Sequence, residues 1–418
     1  MKLGKRVIRL AISVLLLLLL LAVSALYYFL PTKLFEKPTG PYEVGTVTRY
    51  LEDSTRRETF TADPGDRREL FLQIWYPAAD NDLPRANYGT YMPQLIRQMA
   101  ESMDLPSLLL RHLTSVKTYS SYNAEPAGKE ASYPVLLFSH GLGLYGFQNT
   151  FQMEELASHG YIVVSIQHPY QSLLTVFPDG REIAAYPFEL ASFGQFHFMN
   201  KIVTEVMVKD GGSALDYLER IRLSEGDDSF AGRADLSRVG MLGHSIGGAA
   251  AAQALLLEPR MMAALNLDGT LTGTAEIPAA GFSKPFMQLA AQPFEDSQLK
   301  PLEPDSGFGA QLGVSQAEID RHADFLSIFG LNQSHAFAGG GYYVWLKGAS
   351  HYTFTDVPLY SPLVPFMLKD KIKTKLAHRI INDYTLAFFN QALKYQPSPL
   401  LQPSESDTVK VTVGLPSE

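Results

Sequence analysis

Residues 239–257 read Val-Gly-Met-Leu-Gly-His-Ser-Ile-Gly-Gly-Ala-Ala-Ala-Ala-Gln-Ala-Leu-Leu-Leu, and Pro259 follows two residues later. The segment Val239–Leu242 predicts a short buried strand, and Ala249–Leu257 predicts a helix of small and apolar residues that the proline stops. Between them lies Gly243-His244-Ser245-Ile246-Gly247, a G-x-S-x-G pattern. The bare pattern is weak; its strand–turn–helix context gives it force. A serine on so tight a turn has strained dihedrals, and side chains two residues to either side would collide with neighbouring backbone. Gly243 and Gly247 remove that collision. The turn lifts the Ser245 hydroxyl clear of the sheet and leaves the Ile246 N–H free at a helix N-terminus, where it can stabilise an oxyanion. His244 reads as packing within the turn, because adjacent side chains on a sharp turn diverge.

A serine hydroxyl at its ordinary pKa is a poor nucleophile and needs a base that an acid holds in place. On this kind of turn the chain order is Ser, then Asp or Glu, then His. The next predicted strand, Met262–Leu267, ends in Asp268-Gly269, and the carboxyl end of a strand is where α/β sheets place functional groups. Of the four later histidines, His378 falls within an amphipathic helix, and His322 and His335 lie in a long excursion between strands. His351 alone comes just after a strong strand, Tyr342–Leu346. Asp268 is therefore the expected acid and His351 the expected base. Asp356 is a rival acid, but it lies five residues past His351 and at no strand end. A second oxyanion donor should come from the loop after Val135–Phe138, which reads Ser139-His140-Gly141-Leu142-Gly143; the Leu142 N–H is the expected donor, with His140 bonding inside the loop.

Outward from these residues the pattern is strand and helix in alternation. Apolar runs recur at Val135–Phe138, Tyr161–Ile166, Val239–Leu242, Met262–Leu267, Phe286–Ala290 and Tyr342–Leu346, without the polar alternation of a half-exposed strand. Helical candidates lie between them at 147–158, 203–222, 246–257, 315–329 and 370–394. The expected architecture is an α/β-hydrolase fold: a mostly parallel central sheet with helices on both faces, spanning 46–395. Two insertions, 90–130 and 291–341, are candidate covers over the site. Residues 31–45, with three prolines, predict a linker, and 396–418, rich in Pro and Ser, predict a loose C-terminal tail. Residues 44–51 and 69–77 predict antiparallel strands.

The chain has 418 residues, 46% of them hydrophobic and 19% charged, with no cysteine. That composition excludes a disordered chain, a polytopic membrane protein, disulfides, thiolate metal sites and a thiol nucleophile. No P-loop, dinucleotide fingerprint or H-E-x-x-H occurs, so no cofactor and no metal are expected. Residues 1–30 hold four cations (Lys2, Lys5, Arg6, Arg9) and no acid, which leaves the remainder with 31 basic against 43 acidic residues and makes nucleic acid an unsuitable partner. The apolar run Leu10–Leu30, with seven leucines from Leu15 to Leu21, follows those cations. Its length suits a signal-anchor that leaves the catalytic domain outside the cytoplasm. Val23-Ser24-Ala25 also suits cleavage, so a secreted product of a signal peptide is the alternative.

With these residues in view the chain resembles the plasma-type (isoform II) platelet-activating factor acetylhydrolase family. Phe138-Ser-His-Gly-Leu-Gly143 and Leu156-Ala-Ser-His-Gly-Tyr-Ile-Val-Val164 carry the most specific likeness. Gly243-His-Ser-Ile-Gly-Gly-Ala249, Leu267-Asp268-Gly269 and Gly348-Ala-Ser-His351 extend it, and it spans roughly 41–394. The resemblance implies a Ser245–Asp268–His351 triad, oxyanion amides at Leu142 and Ile246, and calcium-independent hydrolysis of short or oxidised sn-2 acyl chains of phospholipids. The chain departs from the family in the 83-residue separation of Asp268 and His351, enlarged by the 291–341 insertion, and in its seven-leucine leader. A general carboxylesterase, lipase or polyester hydrolase of the same fold is the alternative. A third reading, an inactive hydrolase fold used as a binding module, is opposed by the intact Ser, Asp, His and both glycines. Oligomeric state is not legible.

Overall fold

The structure, a computed structural model, describes residues 2–80, 82–89, 91–187, 193–223, 230–294, 317 and 323–414. Helix α1 runs from Lys2 to Phe29. Strands β1 (Glu43–Arg57), β2 (Arg67–Ala78) and β3 (Arg85–Asn87) follow, then α2 (Met92–Ser102) and β4 (Lys117–Tyr122). The alternating part begins with β5 (Tyr133–Ser139), α3 (Thr150–Ser158) and β6 (Ile162–Gln167). A small hairpin, β7 (Leu174–Val176) with β8 (Glu182–Ala184), precedes α4 (Phe193–Lys201), which runs through a π-helical stretch, Ile202–Met207, into α5 (Val208–Leu223). Next come β9 (Ala234–His244), α6 (Ile246–Leu257), β10 (Met261–Leu267) and β11 (Phe286–Ala290). The chain closes with α7 (Ala323–Ala338), β12 (Tyr342–Leu346), α8 (Leu363–Met367), α9 (Thr374–Lys394), β13 (Ser404–Glu405) and β14 (Val409–Val413).

The main sheet has the order β13-β14-β12-β11-β10-β9-β5-β6-β2-β1-β4-β3. Its middle, β12 to β6, is parallel throughout. Every residue of β5 and β6 is buried, as expected of strands covered on both faces. Alternate side chains feed two separate cores. Val135, Leu137, Met241 and Ala264 pack with α5 and α6 on one side, whereas Leu136, Phe138, Leu242 and Leu265 pack with α3 and α9 on the other. One register row crosses the sheet through Phe138, Leu242, Leu265 and Met287. Truncating such a fully buried leucine to alanine costs about 2–5 kcal/mol. Because the strands are parallel, Ser139, His244, Leu267 and Leu346 all end at one edge, and the loops that follow them meet there. The expected α/β-hydrolase architecture is the one found.

Two boundary readings are corrected. Residues 31–45 are no free linker: Leu34 and Phe35 join the core, and the Thr39 and Gly40 N–H groups donate to Glu155 Oε2 (2.9 Å) and Ser158 Oγ (3.1 Å) of α3. The prolines prevent helix but do not prevent docking. Residues 396–414 are no loose tail. Val409, Val411 and Val413 alternate with Lys410 and Thr412, and β14 pairs antiparallel along the whole of β12; the pairing closes an otherwise open sheet edge. The catalytic unit therefore begins before residue 46 and ends after 395. The 90–130 insertion contributes β4 to the main sheet beside β1 and packs α2 through Met92, Leu95, Ile96 and Met99, with Leu108 and Leu109 exposed. Much of the 291–341 insertion lies outside the described residues, as does His322. Among the described residues no helix is long and apolar enough to cross a membrane; the longest stretch of α1 with every side chain described is 12–21.

Candidate active site

Ser245 sits between β9 and α6 with φ 57° and ψ −123°, dihedrals that an L-residue holds only under constraint. The constraint is visible. The Ser245 N–H donates to Leu267 O at 2.9 Å, across to the neighbouring strand. A Cβ at Gly243 would overlap the Gly247 carbonyl, and one at Gly247 would overlap the Ser139 carbonyl, so only glycine fits at either side of the elbow. Ala249–Ala252 are fully buried and let α6 lie close behind the turn.

Asp268 follows β10 in the left-handed region (φ 53°) and is held by its own N–H, which donates to Leu289 O at 2.7 Å. Its Oδ1 accepts from the Ala291 N–H at 2.7 Å, and its Oδ2 accepts from His351 Nδ1 at 2.7 Å. A carboxylate bonded there fixes the imidazole with its proton on Nδ1 and leaves Nε2 as the basic nitrogen. Asn266 braces the Asp268 turn, with Oδ1 accepting from the Gly269 N–H and Nδ2 donating to Gly269 O. The elbow and the His351 loop are joined directly: the His244 ring donates from Nε2 to the His351 carbonyl at 3.0 Å, and the two rings lie 4.5 Å apart. Burial pushes the His244 pKa well below the ordinary histidine value, as does the neighbouring His351, so His244 is a neutral strut. This matches its expected packing role and adds a bond that the sequence did not announce.

In the loop after β5, the N–H groups of Gly141, Gly143 and Leu144 are engaged, by Gln148 Oε1 (3.0 Å), Gln171 O (2.8 Å) and Gly141 O (3.0 Å). The Leu142 N–H has no partner among the described residues. His140 bonds within the loop, to Gly141 O at 2.8 Å.

Asp356, the rival acid, is elsewhere. It caps α3, accepting from the N–H groups of Thr150 (2.9 Å) and Phe151 (3.2 Å) and from Tyr88 Oη (3.0 Å), and its burial pushes its pKa well above the carboxylate range. His378 is buried in α9 against Phe151 and bonds to Thr355 O, and His335 bonds to Ile277 O. Among the described residues no group of three His, Asp or Glu is placed to hold a metal ion. Asp235 and Arg238, just before the elbow strand's apolar run, form an ion pair at 2.6 Å. Sequence reasoning missed Asn266 and Gln148, which buttress these loops from nearby in the chain, and His168, Asp210 and Arg68, which do so from distant parts of it. A polar residue inside an apolar run was the one available signal, at Asn266.

A family model described as platelet-activating factor acetylhydrolase, isoform II, matches residues 27–181 and 225–398. The platelet-activating factor acetylhydrolase of Cavia porcellus is 24% identical over 85% of this chain and 77% of its own length. A probable 1-alkyl-2-acetylglycerophosphocholine esterase of Arthroderma benhamiae is 24% identical over 65% of this chain and 69% of its own. Among solved structures, a ferulic acid esterase from Streptomyces cinnamoneus superposes with a TM-score of 0.68 at 27% identity, covering 91% of this chain and 99% of that one. With the model matched over most of the chain, the elbow and the His351 loop included, the chain belongs to the platelet-activating factor acetylhydrolase isoform II family.

Proposed function

We propose that this chain is a serine esterase that hydrolyses short or oxidised acyl chains of phospholipids through Ser245, His351 and Asp268. The observation that carries the reading is the 2.7 Å bond from His351 Nδ1 to Asp268 Oδ2 beside a serine held at φ 57°. His351 Nε2 takes the Ser245 proton as the hydroxyl oxygen attacks the ester carbonyl. The carbonyl oxygen becomes an oxyanion between the N–H groups of Leu142 and Ile246. Collapse expels the alcohol, which takes its proton from His351, and leaves an acyl-serine. Water, deprotonated by His351, then releases the acid. The acetylhydrolase and acetylglycerophosphocholine esterase relatives support the phospholipid ester as substrate.

A second reading, a carboxylesterase acting on non-phospholipid esters, is favoured by the ferulic acid esterase neighbour. A panel on the chain lacking residues 1–30 separates the two: a short-acyl phospholipid against a neutral ester of equal acyl length and a hydroxycinnamate ester. The first reading requires the phospholipid to have the higher kcat/KM and an organophosphate to label Ser245 one to one. Labelling at another residue overturns both.

Localisation belongs to the same proposal: α1 anchors the enzyme in a membrane with the catalytic domain outside the cytoplasm. Leu15 to Leu21 are between 55% and 67% exposed, a run of apolar surface that lipid would cover. At 28 residues the helix is about 42 Å long, against a hydrocarbon core of about 30 Å.

A further inference from the structure

Resting on the reading of Leu142 as an oxyanion donor, we infer that His140 is a positioning residue for the oxyanion hole, aiming the Leu142 N–H by gripping the carbonyl at the other end of the same peptide, and that His168, Asp210 and Arg68 hold His140 in the tautomer that can do so. The Gly141–Leu142 peptide is planar, and in the trans form its C=O and N–H point in opposite directions. Fixing Gly141 O therefore fixes where the Leu142 N–H points. That oxygen accepts from His140 Nδ1 at 2.8 Å and from the Leu144 N–H at 3.0 Å.

The protonation of His140 follows from its partners. A carbonyl can only accept, so Nδ1 carries a proton. The His168 backbone N–H, which can only donate, reaches His140 Nε2 at 3.1 Å, so Nε2 carries none. His140 is fully buried, and burial, with His168 alongside, brings its pKa down to about 3. It is a neutral ring in one tautomer across the working range.

His168 is locked in turn. Its Nδ1 donates to Asp210 Oδ2 at 2.8 Å, and its Nε2 accepts from Ser139 Oγ at 2.9 Å, the residue just before His140. Burial would raise the Asp210 pKa, but the guanidinium of Arg68, through Nε (3.0 Å) and Nη2 (2.6 Å), and that of Arg56 (2.8 Å) hold it far below the carboxylate range. Arg68 also reaches Gln171 Oε1 (3.4 Å), and Gln171 O receives the Gly143 N–H, so the loop is gripped on both sides of Leu142. A buried ion pair of this kind adds little net stability. Arg68 also bonds Glu58 and Pro169 O, and its branches through His168 and Gln171 reach the loop on either side of Leu142.

The test pairs two variants on a soluble short-chain ester. His140→Asn puts an amide N–H where Nδ1 was and can still donate to Gly141 O. His140→Gln puts its amide near Nε2 and leaves Gly141 O without a side-chain donor. His140→Gln should lose about 10²-fold or more in kcat, the cost of one oxyanion donor, with KM changed less than about threefold, and His140→Asn should recover about tenfold of that loss. Equal losses in the two variants, or a folded His140→Gln within about threefold of the parent kcat, overturn the inference. If either variant does not fold, the parent enzyme decides by ¹⁵N NMR of the His140 ring, assigned through its own backbone. A proton on Nδ1 alone, unchanged from pH 5 to 9, supports the inference, and an Nε2–H form or a titration in that range overturns it. Ser245→Ala is assayed alongside: activity surviving there sinks the esterase reading, whereas an inert Ser245→Ala with an unaffected His140→Gln sinks only the positioning role.

Discussion

Replacing Asp268 by asparagine tests the proposed acid with almost no change of shape. Asp268 spends one oxygen on the Ala291 N–H and the other on His351 Nδ1, both at 2.7 Å. The asparagine oxygen must face Ala291, because an NH₂ there would strand a backbone donor. Its NH₂ then faces His351 and donates to Nδ1. The imidazole moves its proton to Nε2, the nitrogen that must accept from Ser245, and the base is lost while the fold stays. The comparable change in other triads costs about 10⁴ in kcat, which at about 1.36 kcal/mol per decade is about 5.5 kcal/mol of transition-state stabilisation. Steady-state hydrolysis of a soluble short-chain ester, with thermal melting as a check on folding, reads the effect. Asp356→Asn is the contrast. Its carboxyl caps α3 and touches Tyr88, not His351. Stability should fall by about 1–3 kcal/mol, with less than about tenfold in kcat. Asp356→Asn as the more damaging change, or Asp268→Asn within tenfold of the parent, would refute the assignment.

Two further outcomes are expected. Glu154, buried in α3 and bonded to the N–H groups of Tyr119 and Ser120, is pushed by burial from 4.5 up to about 7. The folded state then binds this proton more tightly than the unfolded state, so its contribution is full below about pH 4.5 and is lost as pH rises toward 7; urea melts at pH 5 and 8 should show a smaller fall in stability for Glu154→Gln than for the parent, and an equal fall would refute it. The full chain should sediment with membranes and need detergent for release, and N-terminal sequencing that finds a soluble form beginning near Leu26 would show a cleaved signal instead.

What the sequence determined by itself was local. Strand, elbow and helix at 239–257 are written in neighbouring residues, since a strained serine flanked by glycines needs only its own few neighbours to be recognised. Asp268 and His351 were legible for a related reason: parallel strands end at one edge, so residues just past the strands at 261–267 and 342–346 must come together however far apart they lie in sequence. Composition misled at both ends. Prolines at 31–45 and 396–403 suggested loose chain, but docking depends on a few apolar contacts, Leu34, Phe35 and Leu401, that composition averages away. Tertiary structure alone decided the buttresses. Arg68 on β2, His168 after β6 and Asp210 in α5 are each unremarkable in sequence, and their meaning lies in contacts across 42 to 142 residues. A buried charge declares its purpose only through its partners, because water, which would otherwise satisfy it, has been removed.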